Sequence, residues 1–116
     1  MTIHGSCHCG KVRYSLAGDA PKQAIACNCS ICRRKGSLLA FTAPENFTLE
    51  TPREALAAYS FNTHNIQHLF CKTCGCAPFG EGSGPDGQAT IALNLRCAED
   101  LDLSELEIQP YDGAAL

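Results

Sequence analysis

The sequence predicts a mainly β fold, a single layer or a sandwich interrupted by metal-binding turns, and two observations support this class. Hydrophobic and polar residues alternate over residues 11–16 and again over residues 90–96, the period of a half-buried strand. Turn-forming residues are spread evenly along the chain, without repeats or a linker. We therefore expect one domain over residues 1–116.

The remaining elements have weaker signals. Residues 37–42, 47–49 and 66–70 are further strand candidates, and short helical turns are expected after Cys29 and around residues 104–106. Residues 82–87 are rich in glycine and also contain serine, proline and aspartate, which predicts a surface loop.

The segment before Tyr59 gives conflicting signals. Thr51, Pro52 and Glu54 have the order of a helix cap, a first helical residue and a capping box, which favours a helix over residues 55–59. Residues 59–61 fit a strand equally well. Tyr14 and Phe41 are expected in the core.

Charge and cysteine content indicate which partners and cofactors the protein could bind. The 12 acidic residues outnumber the 9 basic ones, which disfavours a nucleic-acid partner. The first residues lack the pattern of a signal peptide, and no apolar run approaches the ~18 residues of a membrane-spanning helix. We expect a cytoplasmic protein without a membrane partner. In that reducing compartment, nine cysteines indicate metal binding or catalysis rather than disulfides.

Two cysteine clusters together predict a closed metal site. Cysteines separated by one or two residues can converge on one Zn²⁺ ion, and Gly10 and Gly75 follow such pairs where the chain must turn. Four thiolates would fill the tetrahedral coordination of a structural zinc. The predicted ligands are Cys7, Cys9, Cys71 and Cys74.

The middle cluster, Cys27, Cys29 and Cys32, supplies three thiolates without an obvious fourth ligand. Three protein ligands and an open position are typical of a catalytic zinc. Asn28 and Ser30 are possible hydrogen-bond donors to these thiolates. The candidates for a fourth ligand are Cys76, His64, His68 and Cys97, although Cys97 also fits a small buried residue.

A basic run follows this cluster. Arg33, Arg34 and Lys35 form the densest positive segment of an acidic chain. They either bind a carboxylate-bearing small molecule or form a solvated surface.

Four segments, residues 5–10, 27–34, 70–79 and 94–97, carry the patterns G-x-C-x-C-G, C-x-C-S-x-C-R-R, F-C-x-x-C-G-x-x-P-F and N-L-R-C. In order and spacing they resemble the glutathione-dependent formaldehyde-activating enzyme family, which shares its domain with centromere protein V. The resemblance implies a tent-like β fold with few short helices and two zinc ions per chain. It assigns Cys7, Cys9, Cys71 and Cys74 to the structural ion and Cys27, Cys29 and Cys32 to the catalytic ion. It also favours a strand near Tyr59.

The family's named reaction adds glutathione to formaldehyde to give S-(hydroxymethyl)glutathione, which is carbon-sulfur lyase chemistry in reverse. The resemblance thus implies a small thiol substrate. Two alternatives stay open from the residues: a non-catalytic two-zinc module for a protein or thiol ligand, and a thiol-disulfide oxidoreductase using Cys29 and Cys32. The oxidoreductase lacks its expected βαβ context. Nothing in the sequence determines the oligomeric state or the proton donor.

Overall fold

The computed structural model describes residues 2–61, 65–84 and 86–115 of the chain. In these ranges it contains one α-helical turn, α1 (Cys32–Lys35), and short 3₁₀ turns at Pro44–Asn46, Arg53–Ala55, Leu95–Cys97, Leu103–Glu105 and Gly113–Ala115. The strands are β1 (Thr2–Ser6), β2 (Arg13–Ala17), β3 (Gln23–Cys27), β4 (Leu39–Thr42), β5 (Phe47–Leu49), β6 (Leu56–Tyr59), β7 (Gln67–Cys71), β8 (Phe79–Ser83), β9 (Ala89–Asn94) and β10 (Glu107–Tyr111).

The strands form two sheets. The smaller has the order β1-β2-β5, and the larger has the order β10-β3-β4-β9-β8-β7-β6. Pairing in both sheets is antiparallel except between β10 and β3, which run parallel. The mainly β class with few short helices is confirmed. Over the described ranges, no helix has the length and apolar character that crossing a membrane requires.

A single hydrophobic cluster joins the two sheets. Tyr14 of the small sheet is almost fully buried, and its ring lies 5.3 Å from that of Phe47 and 6.4 Å from that of Phe79 on the large sheet. On β9, Ile91 and Leu93 are buried in this core. Because side chains alternate along a strand, the residues between them face the opposite side of the large sheet.

The strands predicted from alternation are present with shifted ends. Residues 47–49 match β5, but the strand predicted over 11–16 begins at Arg13, because Cys7 donates a backbone hydrogen bond to Val12 and closes a turn there. The strand predicted over 90–96 ends at Asn94, whose side chain accepts from the Arg96 amide and starts a 3₁₀ turn.

The strands expected at 37–42 and 66–70 correspond to β4 and β7, and the expected helical turns to α1 and to Leu103–Glu105. The loop expected at 82–87 is shorter at its start, because β8 continues to Ser83 and pairs there with Ala89 of β9.

The helix expected over residues 55–59 is wrong. The capping residues form only the turn Arg53–Ala55, and the chain then extends as β6, which pairs with β7 and buries Leu56. The strand implied by the family resemblance is confirmed, since tertiary pairing overrides a weak local preference. Phe41 is also not a core residue: it is 56% exposed, whereas Tyr14 is buried as expected.

Candidate metal centre and adjoining cavity

The first cysteine cluster forms where two hairpins meet. Cys7 follows β1, Cys9 lies in the turn before β2, Cys71 ends β7 and Cys74 lies in the following turn. Their four sulfur atoms lie within 4.8 Å of one another. This grouping brings together the four cysteines whose spacing predicted a shared site.

The sulfur positions of this cluster fit a tetrahedral metal ion. The Sγ atom of Cys9 lies 3.6 Å from the Sγ atoms of both Cys7 and Cys71. Ligands at ~2.3 Å around a tetrahedral zinc would lie about 3.8 Å apart. The sulfurs therefore stand close to the spacing that one ion requires, and the donor set is the one zinc prefers.

Backbone amides donate to sulfurs of this cluster and lower the pKa of Cys71 and Cys74. Val12 donates its N–H to the Cys7 sulfur at 3.3 Å, and Thr73 donates to the Cys71 sulfur at 3.3 Å. Hydrogen bonds from the amides of Cys76 and Cys9 lower the pKa of Cys74 to about 5. The chain can turn its amides inward because Gly10 and Gly75 adopt positive φ angles of 84° and 82°.

The second cluster lies at the end of β3 and the start of α1. The sulfurs of Cys27, Cys29 and Cys32 are mutually within 4.8 Å, and each residue is partly accessible. The Cys29 amide donates to the Cys27 sulfur at 3.5 Å, and the Cys32 amide donates to the Cys29 sulfur at 3.5 Å. Three sulfurs thus converge, and no fourth described histidine, cysteine or carboxylate joins them.

The thiols of Cys29 and Cys32 differ in acidity. Desolvation opposes ionisation of Cys29, but hydrogen bonds from the Cys32 amide and the neighbouring thiols outweigh it and lower its pKa. Desolvation together with the charge of Cys29 raises the pKa of Cys32 to about 12. Because like charges oppose one another's ionisation, three adjacent thiolates need a compensating positive charge.

The C-terminal segment covers this cluster from one side. Asn28 donates its side-chain amide to Asp112 at 2.9 Å and accepts from the Ala114 N–H at 2.9 Å. Gly113 lies directly against the cluster, so close that a Cβ atom there would stand 2.4 Å from the Cys27 sulfur. Both polar atoms of the Asn28 side chain therefore bind the covering segment, whereas the sequence had suggested donation to a thiolate as a possible role.

A cavity of about 740 Å³ opens beside the three sulfurs, on the face of the large sheet that points away from the core. Its wall includes all three cysteines of the second cluster, together with Lys35 and His68. Most of the other lining residues are apolar or are glycines. Such a cavity is within the usual size range of a small-molecule site.

Two titratable residues of this cavity lining, Lys35 and His68, interact electrostatically. Lys35 keeps solvent contact, but desolvation lowers its pKa, and its charge acts on both Cys32 and His68. Burial, together with Lys35, lowers the pKa of His68, whose ring stacks on Phe61 at 5.6 Å. The cavity lining therefore combines a lysine and a histidine that interact electrostatically with each other.

The remaining predicted residues are placed as follows. Of the basic run, Lys35 lines the cavity, whereas Arg33 and Arg34 are exposed outside its lining, and Arg34 donates to the Ser30 carbonyl at 2.8 Å. Cys76, His68 and Cys97 do not join the second cluster, and His64 lies outside the described residues. Sequence reasoning missed Gly113, because no spacing rule connects it with Cys27.

Comparison with known proteins agrees with this picture. A family model described as glutathione-dependent formaldehyde-activating enzyme matches residues 2–110. A Halomonas elongata protein named for the same activity is 47% identical over 34 residues, a match that spans 29% of this chain and 22% of that protein. A crystal structure of a Rhodobacter sphaeroides protein is similar with a TM-score of 0.77 and 25% identity, covering 91% of this chain and 99% of that one.

Proposed function

The chain belongs to the glutathione-dependent formaldehyde-activating enzyme family, and we propose that it is a zinc-dependent enzyme of the carbon-sulfur lyase type. Its reaction would interconvert glutathione and formaldehyde with S-(hydroxymethyl)glutathione. The observation that carries this proposal is the second cysteine cluster: three convergent sulfurs, without a fourth described ligand, open into a small-molecule cavity. A purely structural site would be closed by four protein ligands.

The proposal includes two zinc ions per chain. Cys7, Cys9, Cys71 and Cys74 would hold the structural ion, and Cys27, Cys29 and Cys32 the catalytic one. When bound at the second cluster, zinc supplies the positive charge that favours the thiolate form of a substrate thiol. A carbonyl compound bound in the adjoining cavity would lie near that sulfur, which would raise the effective concentration of the two reactants.

We assign to Lys35 the role of proton donor to the oxygen of the carbonyl group. It is the only lysine or arginine among the described residues that line the cavity, and it lies close enough to Cys32 to interact with its charge. As sulfur attacks carbon, the oxygen becomes an alkoxide that must gain a proton. Desolvation lowers the pKa of Lys35, which makes its ammonium group a better acid at neutral pH.

A cytoplasmic location also belongs to the proposal. All nine cysteines are free in the structure. A reducing compartment keeps thiols in this state and supplies the thiol substrate.

Exchange NMR of glutathione with formaldehyde tests the reaction, since it reports adduct interconversion at equilibrium. The zinc-loaded protein should accelerate this exchange, and Cys29→Ser should abolish the acceleration with loss of one zinc. We expect Lys35→Met to reduce it roughly 10- to 100-fold, as is typical for loss of a general acid. Lys11→Met, at an exposed lysine outside the cavity lining, is the matched control. A protein that retains two zinc ions without accelerating exchange would instead be the non-catalytic two-zinc module.

A further inference from the structure

The cavity beside the second cysteine cluster continues as a groove across the large sheet. In one row of paired residues, Phe41 on β4 lies beside Ala92 on β9. The row continues through Gly80 on β8 to His68 on β7. Neighbouring strands are about 4.8 Å apart, so the two large side chains stand roughly 14 Å apart with small residues between them. The groove thus has a floor of glycine and alanine and walls of larger residues.

The walls of this groove are apolar and open to solvent. Phe41 is 56% exposed and Ile66 is 47% exposed, and both line the cavity. Phe61 lines it too and stacks on His68. Large apolar side chains exposed together in a concave site are characteristic of ligand binding. Contact with a substrate would remove these surfaces from water.

Few charges are available in the groove for a polar ligand. Its described lining contains Lys35 on α1, His68 on β7 and Glu81 on β8. Glu81 is already paired with Arg53, which donates to it from both terminal guanidinium nitrogens, Nη1 and Nη2. The groove beyond the sulfurs therefore suits a carbon chain better than a second charged group.

Formaldehyde leaves this groove unfilled, because its carbonyl carbon bears only hydrogen. We propose that the preferred electrophile is an aldehyde with an apolar substituent of several carbons, which lies against Phe41 and Ile66. This inference rests on the proposed thiol addition. In the step, a sulfur lone pair forms the C–S bond, and the π electrons of C=O move to oxygen, which gains a proton as the thiol loses one. No oxidant or reductant is needed.

Stable thioethers, which do not react, test whether the groove binds a carbon chain. We would measure the affinities of S-hexylglutathione and S-methylglutathione for the zinc-loaded protein by calorimetry. Both probes have the same peptide, so their ratio reports only the carbon chain. Since each buried methylene strengthens binding, we expect S-hexylglutathione to bind tenfold or more tightly than S-methylglutathione.

Three variants test which residues contact the carbon chain of the thioether. Phe41→Ser should lower the ratio of the two affinities to below threefold, and Ala92→Leu should lower it as well by filling the floor. Ile108→Ser is the matched control, because Ile108 is 43% exposed and lies outside the cavity lining. It should keep the wild-type ratio. Zinc content of each variant confirms that the metal sites are intact.

The outcomes separate this inference from the proposed function. Equal affinities for the two thioethers, together with accelerated exchange of glutathione and formaldehyde, would overturn the apolar substrate and leave the proposed function standing. A tenfold ratio that Phe41→Ser does not change would also overturn it. If neither thioether binds and neither formaldehyde nor hexanal exchanges faster with glutathione, both proposals fail. Faster exchange with hexanal than with formaldehyde, each relative to its uncatalysed rate, would support the inference.

Discussion

Tyr14 combines a large hydrophobic ring with a hydroxyl group that has no partner among the described residues. Its ring is 1% exposed and lies over Gly5, where a Cβ atom would come within 2.3 Å of the ring. Its hydroxyl oxygen is buried without a hydrogen bond. Burial raises the pKa of this phenol, so the group stays neutral. The ring packs β1 and β2 against the core, and the hydroxyl opposes that stabilisation.

Replacing Tyr14 by phenylalanine should therefore stabilise the protein. The change keeps the ring and removes the unpaired hydroxyl, which costs free energy when buried, so we expect unfolding free energy to rise by about 1 kcal/mol. Urea denaturation of the zinc-loaded protein measures this. Tyr59→Phe, at a tyrosine that is 53% exposed, should change stability by less than about 0.5 kcal/mol. A loss of stability in Tyr14→Phe would show that the hydroxyl has a bonding partner.

Strand prediction succeeded where hydrophobic and polar residues alternate along the sequence and missed strands that lack this alternation. Alternating residues identified β2 and β9, because each packs one face into the core. Neither β10, which is exposed along its whole length, nor the glycine-containing β8 has this alternation. Missing β10 had a consequence for the site, since this strand carries the chain back to the second cysteine cluster.

The metal clusters were easier to predict than the elements that surround them. Ligands within one cluster are two or three residues apart, so spacing alone indicates that their sulfurs can converge. The cover over Cys27 depends on the parallel pairing of β10 with β3, which places Tyr111 beside Cys27. Contacts between such distant segments follow from the sheet topology and leave no local pattern in the sequence.

The segment after β10 gives a prediction about the second metal site. Gly113→Ala would put a methyl group 2.4 Å from the Cys27 sulfur and 3.2 Å from the Cys29 Cβ atom. Either the segment or the cysteines must then move, so we expect bound zinc to fall from two ions to one per chain. Metal analysis after dialysis against a weak chelator measures the change.

Gly84→Ala is the control for this substitution. Its Cβ atom would meet its nearest neighbour at 3.4 Å, an ordinary contact. This variant should keep both ions. If Gly113→Ala also retains two ions with unchanged affinity, the covering segment does not determine the geometry of the cluster.

At the scale of the whole molecule, the two clusters have different relations to the core. Cys7 and Cys71 belong to the buried cluster of hydrophobic residues and connect the small sheet with β7 of the large one. The second cluster has no fully buried member and faces the cavity. A metal at the first site would cross-link the two sheets, whereas a metal at the second site would be accessible to a ligand in the cavity.

Loss of one ligand from each cluster should consequently have unequal effects on stability. Cys71→Ser removes a ligand and places a hydroxyl where the side chain is 1% exposed, so we expect a loss of roughly 3 kcal/mol or more. Cys29→Ser acts at a partly accessible site and should cost about 1 kcal/mol, close to the effect of Cys97→Ser, a cysteine in neither cluster. Urea denaturation at fixed free zinc compares the three variants. Equal losses for Cys71→Ser and Cys29→Ser would mean that both ions support the fold alike, and the second cluster would then be structural.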